Sequence, residues 1–340
     1  MKYLSGFVLL CGLIFSIQSC SNDFELSEDA SDLAIVYGFI NPTDSAQYIR
    51  VERAFIGKNT SAYVLAKDAN QLYFSDILVQ LQVGENGTLH ELKRVDGNLE
   101  GYPRSSGVFA DAPNYLYKIK TSALGLTPNT KQKVTLSVKK VDGTTLTSAT
   151  TTTLLPLTTK DVDPPMSGSL LSLPYTSIFK VVWYPLDNLP ISDVKLILEV
   201  SEKSGSITAK KYLNWKIGSN ITDSNGVGSG LSYTASTLGR SFYEFMRSNL
   251  EVDPTITRSL TGVTLEILSG DEDIRKYIQI GLANQGITSS GEIPTYTNLS
   301  NGALGIFSTV TKYSNSNYAF AKPTLDSLAR GIYTKDLNFK

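Results

Sequence analysis

Apolar residues recur at every second position over long stretches of this chain, a period that commits much of it to β-strands with one buried face. Ile77, Val79, Leu81 and Val83 alternate with Gln80 and Gln82, and Val134, Leu136 and Val138 alternate with Thr135, Ser137 and Lys139. The pattern returns in Phe179, Val181 and Trp183, in Val194, Leu196, Leu198 and Val200, and in Val263, Leu265 and Ile267. Charged residues make up only 19% of the chain while Ser, Thr, Asn, Gly and Tyr are abundant, which favours strands and polar loops over long surface helices. The expected fold is therefore mainly β. At 340 residues, the chain exceeds one ordinary core and points to two domains of about 100–200 residues each.

In residues 33–155, expected strands at Leu33–Ile40, Gln47–Phe55, Ile77–Val83, Leu89–Val95, Tyr115–Lys120, Val134–Val138 and Thr144–Thr153 are separated by turn residues, and Asp142-Gly143 marks a tight hairpin. That number and spacing suit an N-terminal immunoglobulin-like β-sandwich. Residues 156–169 carry Pro156, Pro164 and Pro165, which remove the amide donors a sheet needs, and read as a linker. Residues 170–340 then read as a second β-rich domain with two short helices. The first is signalled by Leu238, Phe242, Phe245, Met246 and Leu250, with Thr234 or Ser236 as N-cap. The second is signalled by a Ser269/Glu272 capping box ahead of Ile274, Tyr277, Ile278 and Leu282. A Gly/Ser/Asn loop, Ser219–Gly230, precedes the first helix.

Residues 1–19 have a basic start at Lys2, an apolar run from Phe7 to Ile17 and small or polar residues before a cut, the three parts of a secretory signal. The run is too short to span a bilayer. Ile17-Gln18-Ser19-Cys20 resembles the lipobox of bacterial lipoproteins, in which the cysteine thiolate accepts a diacylglyceryl group and the freed α-amine is acylated next. Cys11 leaves with the signal, so Cys20 is the one cysteine of the mature chain, and no intramolecular disulfide is available to it. Two or three acyl chains, at about 0.8 kcal/mol per buried methylene, would hold the protein firmly at a membrane. Residues 20–32 are polar and acidic and read as a tether. Acidic residues close behind Cys20 resemble an export signal that moves lipoproteins to the cell-surface leaflet of the outer membrane, with Phe24 interrupting the run.

Val36-Tyr37-Gly38-Phe39-Ile40 leading into Tyr48-Ile49-Arg50-Val51, a late Asn301-Gly302-Ala303-Leu304-Gly305-Ile306-Phe307-Ser308 and a tail with Thr324-Leu325-Asp326-Ser327-Leu328 follow the lipobox. In this arrangement the chain resembles a family of Bacteroidota outer-membrane lipoproteins known as a domain of unknown function and often encoded beside TonB-dependent receptors. The resemblance implies such a receptor as partner and lends no functional residues. The Gly302–Ser308 stretch itself reads as a buried strand after a glycine turn, with Gly305 admitting a close neighbour.

Catalytic chemistry finds little footing. His90, the sole histidine, lies in an apparent surface strand, and no Gly-x-Ser-x-Gly elbow accompanies it. One histidine and a lipidated cysteine cannot assemble a zinc or copper site, and the Asp161/Asp163 and Asp271/Glu272/Asp273 groups do not have calcium-loop spacing. Neither a catalytic residue, a metal site nor a cofactor is expected. A formal net charge of −1 gives no basic face for nucleic acid; Lys139–Lys140 and Lys210–Lys211 read as solvated strand-edge charges. Trp183 reads as core, while Tyr212 and Trp215 are the candidate ligand-facing pair. Asp44-Ser45 and Asp326-Ser327 resemble short O-glycosylation sites, making Ser45 and Ser327 candidate acceptors. The expected function is a non-enzymatic, membrane-tethered accessory or ligand-binding lipoprotein beside a TonB-dependent receptor, serving nutrient uptake. An adhesin or fimbrial-type subunit, and then a glycan hydrolase, are the alternatives.

Overall fold

The computed structural model describes residues 33–54, 61–164, 166–167, 170–221, 232–283 and 295–340. The signal segment, Cys20 and the tether lie outside them, as does most of the Ser219–Gly230 loop. Strand takes 46% of the chain and helix 17%, so the protein is mainly β.

The first half contains β1 (Ala34–Ile40), β2 (Ala46–Arg53), β3 (Ile77–Val83), β4 (Leu89–Glu91), β5 (Lys93–Asp96), β6 (Tyr115–Lys120), β7 (Lys133–Lys140) and β8 (Thr145–Thr152). Three short helices, α1 (Ala62–Ala66), α2 (Ala69–Leu72) and α3 (Thr121–Leu124), sit in its connections. Strand order is β1-β2-β6-β5 in one layer and β4-β3-β7-β8 in the other, antiparallel throughout. The alternating residues meet between the layers: Val79, Leu81, Val134, Leu136 and Val138 are buried with Val36, Ile49 and Val51 in one core. At the β7–β8 turn, the Asp142 carboxylate accepts from the Thr144 amide at 2.8 Å and Gly143 takes φ +94°. The stretch Leu89–Val95, expected as one strand, is two. Leu92 turns into the core and the chain changes partner from β3 to β6, crossing between layers.

The second half contains β9 (Val162–Asp163), β10 (Met166–Ser167), β11 (Leu170–Leu171), β12 (Ile178–Trp183), β13 (Ile191–Ser204), β14 (Ile207–Ile221), β15 (Tyr233–Leu238), β16 (Ile256–Gly270) and β17 (Leu304–Tyr318). Its helices are α4 (Gly239–Asn249), α5 (Glu272–Ala283) and α6 (Lys322–Arg330). Sheet β14-β13-β16-β17 faces the smaller sheet β15-β12-β9 across a second core. There Trp183, Val194, Leu196, Leu198, Val263 and Leu265 pack with Phe242 and Met246 of α4.

β17 ties the halves together. Leu304–Thr309 pairs in parallel with β1, and the same strand continues antiparallel to β16 from Val310 onward, making one eight-stranded sheet. Leu299, Ala303 and Phe307 pack in the first core although they lie far beyond residue 155. The segment at 156–169, expected as a linker, instead adds Leu157 and Val162 to the second core and pairs β9 with β12.

Two expected caps are corrected. Thr234 and Ser236 lie within β15, paired to Val182 and Lys180, and α4 begins after Leu238 with no side-chain cap. Ser269 is committed to Ser192 across the sheet at 2.8 Å, and Asp271 caps α5 by accepting from the Ile274 amide at 3.1 Å. The expectation of two short helices also falls short, because α6 closes the second core with Leu328 and the first half carries α1 to α3. Among the described residues no helix is long and apolar enough to cross a membrane.

Candidate functional site

Most of the unusual chemistry collects at one end of the first sandwich. The β2–β3 connection (residues 54–76) carries α1 and α2, and the β5–β6 connection (residues 97–114) exceeds the ~12–15 residues of an ordinary structureless loop. They are locked together: the Ala110 amide donates to the Ala66 carbonyl at 2.8 Å, Lys67 Nζ reaches the Phe109 carbonyl at 3.0 Å, and the Tyr73 hydroxyl donates to the Pro113 carbonyl at 3.2 Å. Leu72, Tyr73 and Ala110 form a small apolar cluster beneath them. Behind this, the buried Glu52 carboxylate holds both Arg50 and Arg104, so the β5–β6 connection is also fastened to β2.

Between these connections and the end of β7 lies a cleft of about 670 Å³, lined by Arg53, Arg94, Lys140, Asp76, Tyr73 and Tyr115 among others. Arg53 is the last residue of β2 and shares the inward parity of Gln47, Ile49 and Val51, so its stem leaves the core at the open end of the sandwich. Its Nε is buried without a partner, while Nη2 reaches Gln71 Oε1 at 3.3 Å. Arg94, exposed at the cleft, lies 4.6 Å from the centre of the Tyr115 ring, reaches the Phe74 carbonyl through Nη1 at 3.5 Å and bonds the Tyr117 hydroxyl. Neither arginine has a carboxylate partner among the described residues. Burial pushes the Tyr73 and Tyr117 hydroxyls up, against the lowering effect of nearby arginines, so both stay neutral. Exposed apolar side chains, Tyr63, Val64, Leu99, Val108 and Phe109, crown the same connections.

A second polar cluster sits where the two cores meet. Asp271 accepts from Ser308 of β17 and, at 3.4 Å, from Thr151 of β8 while capping α5; burial pushes its carboxyl above the usual range. Beside it Tyr277 donates to Tyr37 at 3.2 Å, and Tyr296 donates to Asp273 at 2.5 Å.

The residues singled out in the sequence are not gathered at either place. Trp215 is 4% exposed in the second core, its ring 5.4 Å from Phe242 and 5.7 Å from Phe179. Tyr212 is 59% exposed and bonds Glu199 at 3.2 Å. Three positions apart on one strand, the two rings point to opposite faces, so they form no shared ligand surface. Trp183 is core, as expected. Ser45 occupies an exposed turn between β1 and β2, whereas Ser327 is half-buried inside α6 with its carbonyl accepting from Tyr175. His90 pairs opposite Leu81 on the short strand β4. No group of three or more His, Cys, Asp or Glu side chains among the described residues is placed to hold a metal ion. In the sequence Arg53 and Arg94 each read as an ordinary strand residue. The available signal was an arginine at inward parity beside an overlong connection.

No protein-family profile and no curated protein matches the sequence. Among solved structures the chain is similar to one described as "Cytokine receptor complex - Crystal form 1A", at 10% identity and a TM-score of 0.24 over 85% of this chain and 99% of that one. It is also similar to one described as "Structural insight into host cell surface retention of a 1.5-MDa bacterial ice-binding adhesin", at 9% identity and a TM-score of 0.18 over 85% of this chain and 66% of that one. Both scores are too low to indicate a shared fold.

Proposed function

We propose that this chain is a lipid-anchored, non-enzymatic accessory protein of a bacterial outer membrane, held through Cys20 at the cell-surface leaflet and working beside a TonB-dependent receptor. In this reading residues 34–152 are an immunoglobulin-like module: the orders β1-β2-β6-β5 and β4-β3-β7-β8 correspond to A-B-E-D facing C′-C-F-G. The connections that build the cleft are then its B–C and D–E loops.

The observation that carries the proposal is where the chain enters the body. Ala34 pairs with Arg53, and the Ala54 amide donates to the Leu33 carbonyl at 2.8 Å, so the segment leading back to Cys20 leaves from the cleft end. Thirteen residues, 20–32, reach at most about 45 Å when fully extended. A lipid on Cys20 therefore keeps the chain-entry end within that reach of the membrane, where an integral receptor would be met. The second core, carried outward along β17, projects away from it. The cleft lining contributes a single carboxylate, Asp76, where glycoside hydrolysis needs a facing pair, which supports binding over catalysis.

The test is chemical crosslinking of intact cells followed by purification of the lipid-modified protein. A TonB-dependent receptor crosslinked to the 54–76 or 97–114 connection is the expected product. Recovery of the protein from membranes with no receptor attached would overturn the partnership.

A further inference from the structure

Where the two cores meet, the outer face of the eight-stranded sheet carries a second cavity of about 250 Å³, lined by Tyr37, Tyr277, Ile280, Thr295, Tyr296 and Leu304 among others. Val36 faces the first core, so Tyr37 beside it on β1 faces out, where α5 lies across the sheet. Ile274 seats that helix, buried against Ile191 and Ile306; Tyr37 and Tyr277 flank the contact, only half-buried, with the cavity beyond them. Their rings meet at 81° with centroids 6.3 Å apart, which makes a corner of two aromatic walls. Four of the described lining side chains carry hydroxyls, from three tyrosines and Thr295, and none is charged. The charges beside the cavity are engaged: Asp273 accepts from Tyr296 at 2.5 Å and from Asn298 at 2.9 Å, while Lys276, 6.0 Å from the centre of the Tyr296 ring, lies 3.9 Å from Glu272.

Tyr277 gives its hydroxyl proton to Tyr37, and Tyr296 gives its own to Asp273. Tyr37 is left with a proton that no described residue accepts, and the oxygens of Tyr277 and Tyr296 keep lone pairs. Burial, and next the bond with Tyr277, push the Tyr37 hydroxyl well up; burial and the bond to Asp273 do the same for Tyr296, so both stay protonated. A charged ligand finds no counter-charge here, and a wholly apolar one strands the Tyr37 donor. The cavity falls below the ~300–1,000 Å³ of drug-sized sites, which leaves room for one ring-sized group. A ring with C–H faces and hydroxyl edges meets all of these conditions, because the negative faces of aromatic rings attract polarised C–H bonds.

We propose that this pocket holds one neutral pyranose ring, its C–H face against the tyrosine rings and its hydroxyls bonded to Tyr37, Tyr296 and Thr295. The site goes beyond the tethered-accessory reading and depends on neither the lipid nor the receptor. Failure of the crosslinking test above leaves it standing, and its own failure leaves the anchor and the partnership untouched.

The test is saturation-transfer NMR on the full mature protein in phosphatidylcholine nanodiscs, with the methyl pyranosides of glucose, galactose, mannose and N-acetylglucosamine and the corresponding free sugars as probes. At least one probe should receive saturation at its ring C–H protons, with a dissociation constant on the order of millimolar, as suits a single small ring. Whichever of a methyl and free pair binds tighter names a glycan end or a soluble sugar as the source, and either result supports the site. Tyr37→Phe keeps the ring and removes the uncommitted proton, so it should weaken binding about three- to tenfold. Tyr212→Phe, on exposed β14, should change nothing. Methyl glucuronide should bind less well than methyl glucoside, because its carboxylate has no partner in the pocket. The proposal is overturned if no probe binds at about 20 mM, or if Y37F of unchanged melting temperature binds as wild type does. Preference for N-acetylphenylalaninamide over every sugar assigns the pocket to a protein side chain and also overturns it.

Discussion

At Gly305 the backbone takes φ +97°, and an added Cβ would fall inside the van der Waals envelope of the Val36 carbonyl oxygen on the neighbouring strand. The close approach lets β17 pair in parallel with β1, so Gly305→Ala should cost about 3 kcal/mol or more, read as a lowered midpoint in urea denaturation. The need for a glycine here was legible in the sequence; the identity of its neighbour was not, because parallel pairing across the length of the chain leaves no local mark. Asp271 makes a different kind of prediction. Burial lifts its folded carboxyl above the unfolded value, so the folded chain binds the proton more tightly. The resulting stability is fully present below the unfolded value of about 4 and is lost as pH rises through the folded one. Asp271→Asn mimics the protonated form and keeps an acceptor for the Ile274 amide. Its melting temperature relative to wild type should therefore be most favourable at pH 7 and should lose that advantage on acidification to pH 4; a pH-independent difference would show that the carboxyl titrates normally.

Among elements, period-two alternation translated directly into buried faces, since a strand with one wet side has only one way to hide its apolar residues. Leu136 in β7 is fully buried, and Leu136→Ala should cost about 2–5 kcal/mol by thermal or urea unfolding. Helical faces translated less well. Of the apolar residues on α5, Ile274 packs with Ile191 and Ile306 at the junction of the cores, whereas Leu282 is 54% exposed. Ile274→Ala should thus destabilise by about 2 kcal/mol and Leu282→Ala by no more than about 0.5 kcal/mol, a contrast that equal losses at both positions would contradict. The misplaced caps have the same origin. Serine and threonine serve strand pairing as readily as they cap helices, and only the register of β15 and β16 decides which use is made. The cleft leaves no local mark for a related reason: Arg53, Arg94 and Lys140 lie on three different strands, and the 54–76 and 97–114 connections converge beside them only in three dimensions.

For the whole molecule, two cores share one eight-stranded sheet, and residues 299–309 complete the first core from the far end of the chain. Length and the proline-rich segment suggested separable halves, but a strand held by both cannot leave one without disturbing the other. Calorimetry should therefore record one cooperative unfolding transition, and two resolved transitions would show that the β1–β17 pairing carries little of the coupling. The same continuity gives the protein a polarity, with the chain entry and cleft at one end and the β13–β14 turn at the other. What that polarity means in the cell depends on Cys20. Intact-mass analysis of protein extracted from membranes should find a mature chain beginning at Cys20 and carrying a diacylglyceryl group with or without a further acyl chain. A mature chain beginning elsewhere, or beginning there without acyl mass, would contradict the tethered orientation proposed for the molecule.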